Sequence, residues 1–343
     1  MSKINVLIAG STGYIGVQLT KILVNHNKVN IKYLCGSSSV GKKISYFDKT
    51  LEKYRLPKII KFHRKFLANV DVVFTALPNG ESQKISKFLL KKNTLIDLSA
   101  DFRLRKPIDF LKWYKIKHKA KSMIKYSIYA LPEIKKSIIK NYKVISCPGC
   151  YPTSILLPLI PLIKKKLISN NNIIIDSKSG YSGAGRGVHK KYINQNLYES
   201  LSAYGISIHR HNSEIQQELD LYSEKKNNFQ FTPHLTPMFR GILSTIYVDL
   251  RKGVTKNKVN SILKSYYKND KFVNIAKTDT LLSTNKVINT NNCIISVCAS
   301  KFKDKIIILS VIDNLIKGGS GQAVQNMNIL FNLKENEGLN VKN

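Results

Sequence analysis

Acidic residues are scarce in this chain of 343 residues. Asp and Glu number 21 against 56 Lys and Arg, the formal charge is +35, and the first carboxylate side chain to appear is Asp48. Cysteine is sparse too: five thiols, an odd number in so long a chain, do not make a secreted disulfide framework, and a reducing cytoplasm is the expected location. Long apolar runs are missing. The longest begins at Ser154, carries Pro158 and Pro161 and stops at Lys164-Lys-Lys166, short of a bilayer span. The lysines are spread over nearly every segment, and no zinc-finger, helix-turn-helix or RNA-binding signature accompanies them. The charge therefore reads as solvated surface that can gather small anions, with neither nucleic acid nor membrane expected as partner. A hydrophobic content of 43% is ordinary, and the length suits two domains.

What is present is an alternation of strand and helix patterns. Lys3 to Ala9 is a compact apolar strand, followed at once by Gly10-Ser11-Thr12-Gly13-Tyr14-Ile15-Gly16 and a helix expected from about Tyr14 to His26, with Ile15, Leu19, Ile22 and Leu23 on one face. Glycines at such a turn let backbone N–H groups at a helix start approach a pyrophosphate, so Gly10 to Gly16 is a candidate dinucleotide cradle. The second strand, Val29 to Cys35, leads into Gly36 to Lys43, where an NAD-binding chain is expected to carry an acid for the ribose hydroxyls. This loop has none. It offers Ser38, Ser39 and Lys42 for a 2′-phosphate, favouring NADP(H), although a basic composition alone would also produce it. Strands at Val70–Ala76 and Thr94–Leu98, separated by a helix from Glu81 to Leu90, extend a doubly wound parallel sheet. The loops Leu77–Gly80, with Pro78, and Ser99–Arg103 then lie at its ligand edge. Residues 105–142 read as surface helices and connections with little functional content.

Cys147-Pro-Gly-Cys150-Tyr-Pro-Thr153 joins a short strand to the long apolar run. If that run is a helix, Pro152 suits its first turn, and Cys150 sits where unpaired N–H groups and the helix dipole favour a thiolate nucleophile. The bland alternative is a small buried residue. Beyond it come Ile173–Asp176, the glycine-rich Ser179–Gly187 and His209-Arg-His211, then strand-like runs at Phe231–Thr232, Ile242–Leu250, Cys293–Ala299 and Ile306–Ile312. They suggest an α+β domain on a largely antiparallel sheet. The segment from Asp313 to Asn328 reads as a loop entering a helix, and the polar chain after Leu333 is expected to fray. The Cys147/Cys150 spacing also permits a redox pair, and a zinc site adding Cys293 and Cys298 is disfavoured because those two face opposite sides of a strand.

Taken together, Gly10–Gly16, Asp97-Leu-Ser-Ala-Asp-Phe-Arg-Leu104, Pro148–Thr153, Ser179–Arg186, His209-Arg-His211, Phe231-Thr-Pro-His-Leu235 and Asp313–Gly318 with Gly321–Asn328 resemble the N-acetyl-gamma-glutamyl-phosphate reductase family, over nearly the whole chain. The resemblance implies the wider aspartate-semialdehyde dehydrogenase-like group. A Rossmann domain, 1–148, is completed by the C-terminal helix, about 316–333, and a catalytic and oligomerisation domain, 149–315, supports a dimer or tetramer. It implies NADPH-dependent reduction of an acyl phosphate through a thioester on Cys150, in arginine biosynthesis. Pro78, Ser99 and Asn314 join the glycine turn as cofactor contacts, and Ser182 and Glu214 join the substrate set. Arg103, Arg186 and Arg210 are candidates for substrate phosphate and carboxylates, since guanidinium forks match both. A histidine should move protons. In an extended segment His209 and His211 share a face; His209 is preferred because His211 abuts a helix cap expected at Asn212 or Ser213. Two departures stand out: Ser37 where relatives commonly carry Arg, and Ser213 where many carry Pro. Enzymes acting on aspartyl phosphate are the nearest alternative.

Overall fold

The computed structural model describes residues 2–186 and 199–339. Among the described residues the chain divides into two compact units, one comprising residues 2–148 and 319–339, the other Gly149–Gly318.

The first unit holds strands β1 (Ile4–Ala9), β2 (Val29–Cys35), β3 (Ile59–Ile60), β4 (Val72–Thr75), β5 (Thr94–Asp97), β6 (Ser127–Tyr129) and β7 (Val144–Ser146). Their order is β3-β2-β1-β4-β5-β7-β6, and every pair is parallel. The order reverses between β1 and β4, and the crevice at the carboxyl ends there is where such sheets bind ligands. Crossover helices cover both faces, which is why β1, β4 and β5 are near-continuous apolar runs with almost no exposure.

The first helix, Tyr14–Leu23, ends before the expected His26 because the N–H groups of Asn25 and His26 turn back to the carbonyls of Ile22 and Leu23. The helix Glu81–Ser86 is cut short in the same way, by Phe88 on Ile85 and Leu89 on Ser86. In the Lys-rich segment 105–142, expected to hold only helices and connections, β6 adds an edge strand to the sheet. Three residues are too few to carry a period of two.

Within this unit the helix Gly321–Leu330 is tied by side chains. Asn328 Oδ1 lies 2.9 Å from His26 Nε2, Gln325 Nε2 donates to Glu133 Oε1 at 2.9 Å, and Asn326 Nδ2 donates to the Ala130 carbonyl at 3.1 Å. Residues 334–339, where fraying is expected, are held in place instead. Asn328 Nδ2 donates to the carbonyls of Glu335 and Glu337, Lys136 pairs with Glu335, and Leu339 is buried.

The second unit carries β8 (Ile173–Gly180), β9 (Ser202–Ala203), β10 (Phe229–Thr236), β11 (Ile242–Asp249), β12 (Val273–Ile275), β13 (Cys293–Ala299) and β14 (Lys305–Ile312), in the order β12-β13-β14-β11-β8-β10-β9. The β8/β10 and β12/β13 pairs are parallel and the others antiparallel.

A helix from Cys150 to Lys164 lies buried on this sheet. Hydroxyls pin it there: Ser244 Oγ lies 2.7 Å from both Ser154 Oγ and Ser177 Oγ. Pro158 and Pro161 stay inside the helix. Pro161 has no N–H for the carbonyl of Leu157, and Tyr267 Oη donates to that carbonyl instead, at 2.5 Å, so the buried acceptor is not orphaned.

Candidate active site

At the ligand edge of the first unit the three glycines of the turn are not equivalent. A Cβ on Gly10, at φ +84°, would fall 2.2 Å from the Ala76 carbonyl oxygen, and one on Gly16 would fall 2.2 Å from that of Gly10. Packing requires both. Gly13 is different: its φ of −70° suits any residue, and the nearest atom to an added Cβ is 3.8 Å away. It precedes a helix that has no side-chain cap, which leaves N–H groups there for an anion. Thr12, Tyr14 and Ile15 are half-buried around it. Ser11 is buried, its N–H and hydroxyl both donating to the Cys35 carbonyl.

In the loop after β2, Ser37, Ser38 and Lys42 are exposed while Ser39 is buried, and Lys42 Nζ stands 4.1 Å from the centroid of the Tyr46 ring. Asp48, the nearest acid in sequence, is engaged by Lys21 at 2.9 Å and by Thr50. The residues present fit a dinucleotide, and they set no carboxylate against a 2′-phosphate. Pro78 is exposed after β4. Ser99 is buried, donating to Asp97 Oδ1 at 2.7 Å.

Arg103, also buried, directs Nε to the Cys147 carbonyl at 2.9 Å and Nη2 to that of Leu98 at 3.2 Å, which braces the ends of β5 and β7. Cys147 is itself buried, its thiol pushed up to about 12 by burial, and it accepts from Asn326 Nδ2 at 3.7 Å.

The second unit places Cys150 at the first position of its buried helix, half-buried, with Gly149 as the N-cap residue. Pro152 stands in the first turn, where its missing N–H costs nothing. Two glycines permit close approaches here, Gly318 to Cys150 and Gly149 to His211. A Cβ on Gly318 would meet Cys150 Cβ at 2.6 Å, and one on Gly149 would meet His211 Nε2 at 2.4 Å. The Gly149 N–H donates to Glu214 Oε2 at 3.0 Å, and the other oxygen of Glu214, a fully buried residue, lies 3.8 Å from His211 Nε2. Gly318 is held in turn by Asp313. The Asp313 carbonyl accepts the Gly318 N–H at 3.0 Å, and its carboxylate accepts from Leu315 and Ile316 N–H and pairs with Arg240 at 3.2 Å.

The histidine segment is not extended. A helix begins at His211 and runs to Leu221, with Arg210 at the cap position. Neither expected cap serves it: Asn212 Nδ2 donates back to the His209 carbonyl and Ser213 Oγ to that of Arg210. His209 Nδ1 accepts the His211 N–H at 3.1 Å, and its ring is packed edge-on among Tyr151, Tyr204, His211 and Phe231. Burial, then the Arg210 guanidinium, brings His209 down to about 4. Tyr151, next to Cys150 and in contact with both imidazoles, donates to the His234 carbonyl and accepts from Tyr204 Oη; burial pushes its hydroxyl far up.

Ser182 is buried in the turn after β8, its Oγ accepting from Asn314 Nδ2 at 3.0 Å, and Asn314 Oδ1 accepts the Gly241 N–H at 2.7 Å. The Asn314 amide thus shapes the glycine-rich loop of its own unit. Arg186 is half-buried at the end of that loop, Arg210 is exposed, and Gly187 lies outside the described residues. Cys293 and Cys298 have separate surroundings, Ser310 for one and Thr280 for the other, and the five cysteines form no disulfide among the described residues. Local patterns did not single out Gly149, Tyr151, Gly318 or Asp313. All four lie in stretches that carry the resemblance, Pro148–Thr153 and Asp313–Gly318, which gave none of them a role of its own.

Two family models match the chain, "Semialdehyde dehydrogenase, NAD binding domain" over residues 5–142 and "Semialdehyde dehydrogenase, dimerisation domain" over 150–314. The N-acetyl-gamma-glutamyl-phosphate reductase of Desulforamulus reducens is 41% identical, with 98% of each chain covered. That of Vesicomyosocius okutanii is 43% identical over 98% of each. Among solved structures, aspartate semialdehyde dehydrogenase with NADP from Candida albicans aligns at a TM-score of 0.68 and 16% identity, covering 96% of this chain and 99% of that one, a likeness of fold. No helix among the described residues is long and apolar enough to cross a membrane. The chain belongs to the N-acetyl-gamma-glutamyl-phosphate reductase family of semialdehyde dehydrogenases, oxidoreductases that pair a dinucleotide-binding domain with a dimerisation domain.

Proposed function

We propose that this protein reduces N-acetyl-gamma-glutamyl phosphate to N-acetylglutamate 5-semialdehyde and phosphate, with NADPH, as a step of arginine biosynthesis. The observation that carries the reading is Cys150 at the start of a buried helix, with Gly318 packed directly on it and His211 against the preceding Gly149. The Cys150 thiolate attacks the acyl carbon, a C–S bond forms, and the C–O bond to phosphate breaks with its electron pair on the leaving group. NADPH, when bound, supplies the hydride that this thioester accepts. The C–S bond then breaks, aldehyde leaves and the thiolate returns. A reducing compartment such as the cytoplasm suits this chemistry.

The chain's own groups divide the work. Backbone N–H groups at the helix start face the developing oxyanion. We assign proton transfer to His211, reversing the preference read from the sequence, because its Nε2 stands against Gly149 beside the Glu214 carboxylate. His209 has one nitrogen committed to the backbone and an imidazole held neutral. Arg186, at the glycine-rich loop, Arg210 and Ser182 are the proposed anchors for the substrate's anionic groups, while Arg103 braces the ends of β5 and β7 within the first unit. The glycine turn, Ser38, Lys42 and Pro78 hold the cofactor, and the second unit mediates self-association as a dimer or tetramer.

The deciding experiment runs the reaction backwards, measuring phosphate-dependent reduction of NADP with N-acetylglutamate 5-semialdehyde beside aspartate semialdehyde. Turnover of the first and little of the second is expected. The opposite preference would sink the substrate assignment.

A further inference from the structure

Two of the few acids in this chain, Asp97 and Asp101, are fully buried at the ligand edge of the first unit, and neither has an ion pair among the described residues. A buried carboxylate without a cation is costly unless hydrogen bonds hold it, so its donors show what it is for. Asp97 Oδ1 collects Thr75 Oγ1 at 2.8 Å from the end of β4, Ser82 Oγ at 2.8 Å from the following helix, and Ser99 through Oγ at 2.7 Å and N–H at 3.0 Å. Asp101 reaches the other side of the same loop: Oδ1 takes the Gly80 N–H at 2.6 Å and Oδ2 the Gln83 N–H at 3.1 Å. Gly80 stands at φ +92° and gives the helix Glu81–Ser86 no side-chain cap, so Asp101 does that work from across the loop. Asp101 is itself fixed at its carbonyl, 2.8 Å from His118 Nε2.

Every donor comes from the last residue of β4 or from the segments that leave the carboxyl ends of β4 and β5. We infer that Asp97 and Asp101 are positioning residues for the nicotinamide cofactor, jointly setting the shape of the Leu77–Gly80 turn and of the chain at Ser99. The inference rests on the reading that this edge holds NADPH. Burial, with Asp97 nearby, pushes the Asp101 carboxyl up to about 6, as expected for a pair confined together without a cation.

The test separates positioning from mere support of the fold. In Asp101→Asn, which keeps volume and one acceptor, KM and Kd for NADPH should rise about tenfold, the effect of losing one charged hydrogen bond, while kcat changes less than twofold. Thr75→Val, a gentler isosteric change that removes one donor from Asp97, should raise both about threefold. Glu81→Gln, which breaks only the exposed pair with Lys84, should alter neither. Melting temperatures and NADPH fluorescence titrations accompany the kinetics. Wild-type protein that does not bind NADPH would overturn the cofactor reading. If wild type binds and both variants, folded, bind equally well, the inference alone is overturned, as it is if kcat and melting temperature collapse while Kd stays put.

Discussion

Cys147 and Cys150 lie three positions apart and are chemically unlike. The first is a buried thiol pushed up to about 12 and packed under Asn326, which suits neither a nucleophile nor a redox partner at neutral pH. Iodoacetamide at pH 7 should therefore label Cys150 and spare Cys147. Cys150→Ser should abolish turnover with NADPH binding retained, while Cys147→Ser stays active; comparable loss in both would restore the redox reading. If His211 serves the thiol, His211→Asn should slow the labelling several-fold and His209→Asn much less, and the reverse order would return the role to His209. His209 should be visible instead in stability. Its imidazole titrates at about 4 in the fold against 6.5 in the open chain, so between these values the unfolded state takes up the proton first. Stability is complete above about pH 6.5 and is lost as pH falls towards 4. The drop in melting temperature from pH 7.5 to pH 5 should shrink in His209→Gln, and an equal drop would show that the ring is not neutral in the native state.

The helix Cys150–Lys164 owes its form to partners remote in sequence, and this sets the limit of what its residues disclose in isolation. Strand β2 and the start of the first helix agree with the local pattern to the residue, because period and punctuation carry that information. The glycine turn before the first helix and the place of Cys150 at a helix start were legible for the same reason. Pro158 and Pro161 read as interruptions, since nothing nearby announces that the Tyr267 hydroxyl will satisfy the Leu157 carbonyl. The histidine segment read as extended because a cap at Arg210, which offers no side-chain bond, leaves no signature. Likewise the clamp by which Asp313 presses Gly318 on Cys150 depends on two contacts that no short window contains, Gly318 against Cys150 and Asp313 with Arg240. The clamp has a measurable consequence. Gly318→Ala places a methyl 2.6 Å from Cys150 Cβ and 3.0 Å from its Cα, so the thiol must move. A displacement approaching 1 Å costs on the order of a hundredfold in rate, and we expect kcat to fall by about that factor while NADPH binding is unchanged. A variant with wild-type kcat would mean that the nucleophile tolerates the shift.

At the scale of the whole molecule the question is whether a formal charge of +35 does any work. Most lysines face solvent, where salt at physiological strength screens them within about 8 Å. Their summed field acts on any anion alike and cannot distinguish one dinucleotide from another. Discrimination must come from groups that meet the 2′-phosphate directly, and the loop after β2 exposes Ser38 and Lys42 while Asp48 is neutralised by Lys21. The two contributions separate by ionic strength. Raising salt from 50 to 500 mM should raise KM for NADH modestly, through the general field, and KM for NADPH more steeply, because a doubly charged phosphate near a lysine adds its own screened term. Lys42→Ala should lower the NADPH preference and bring the two salt slopes together without changing the rate at saturation. Equal slopes in the wild type, or an unchanged preference in Lys42→Ala, would mean that the loop does not read the phosphate and that only the diffuse charge of the surface favours NADPH.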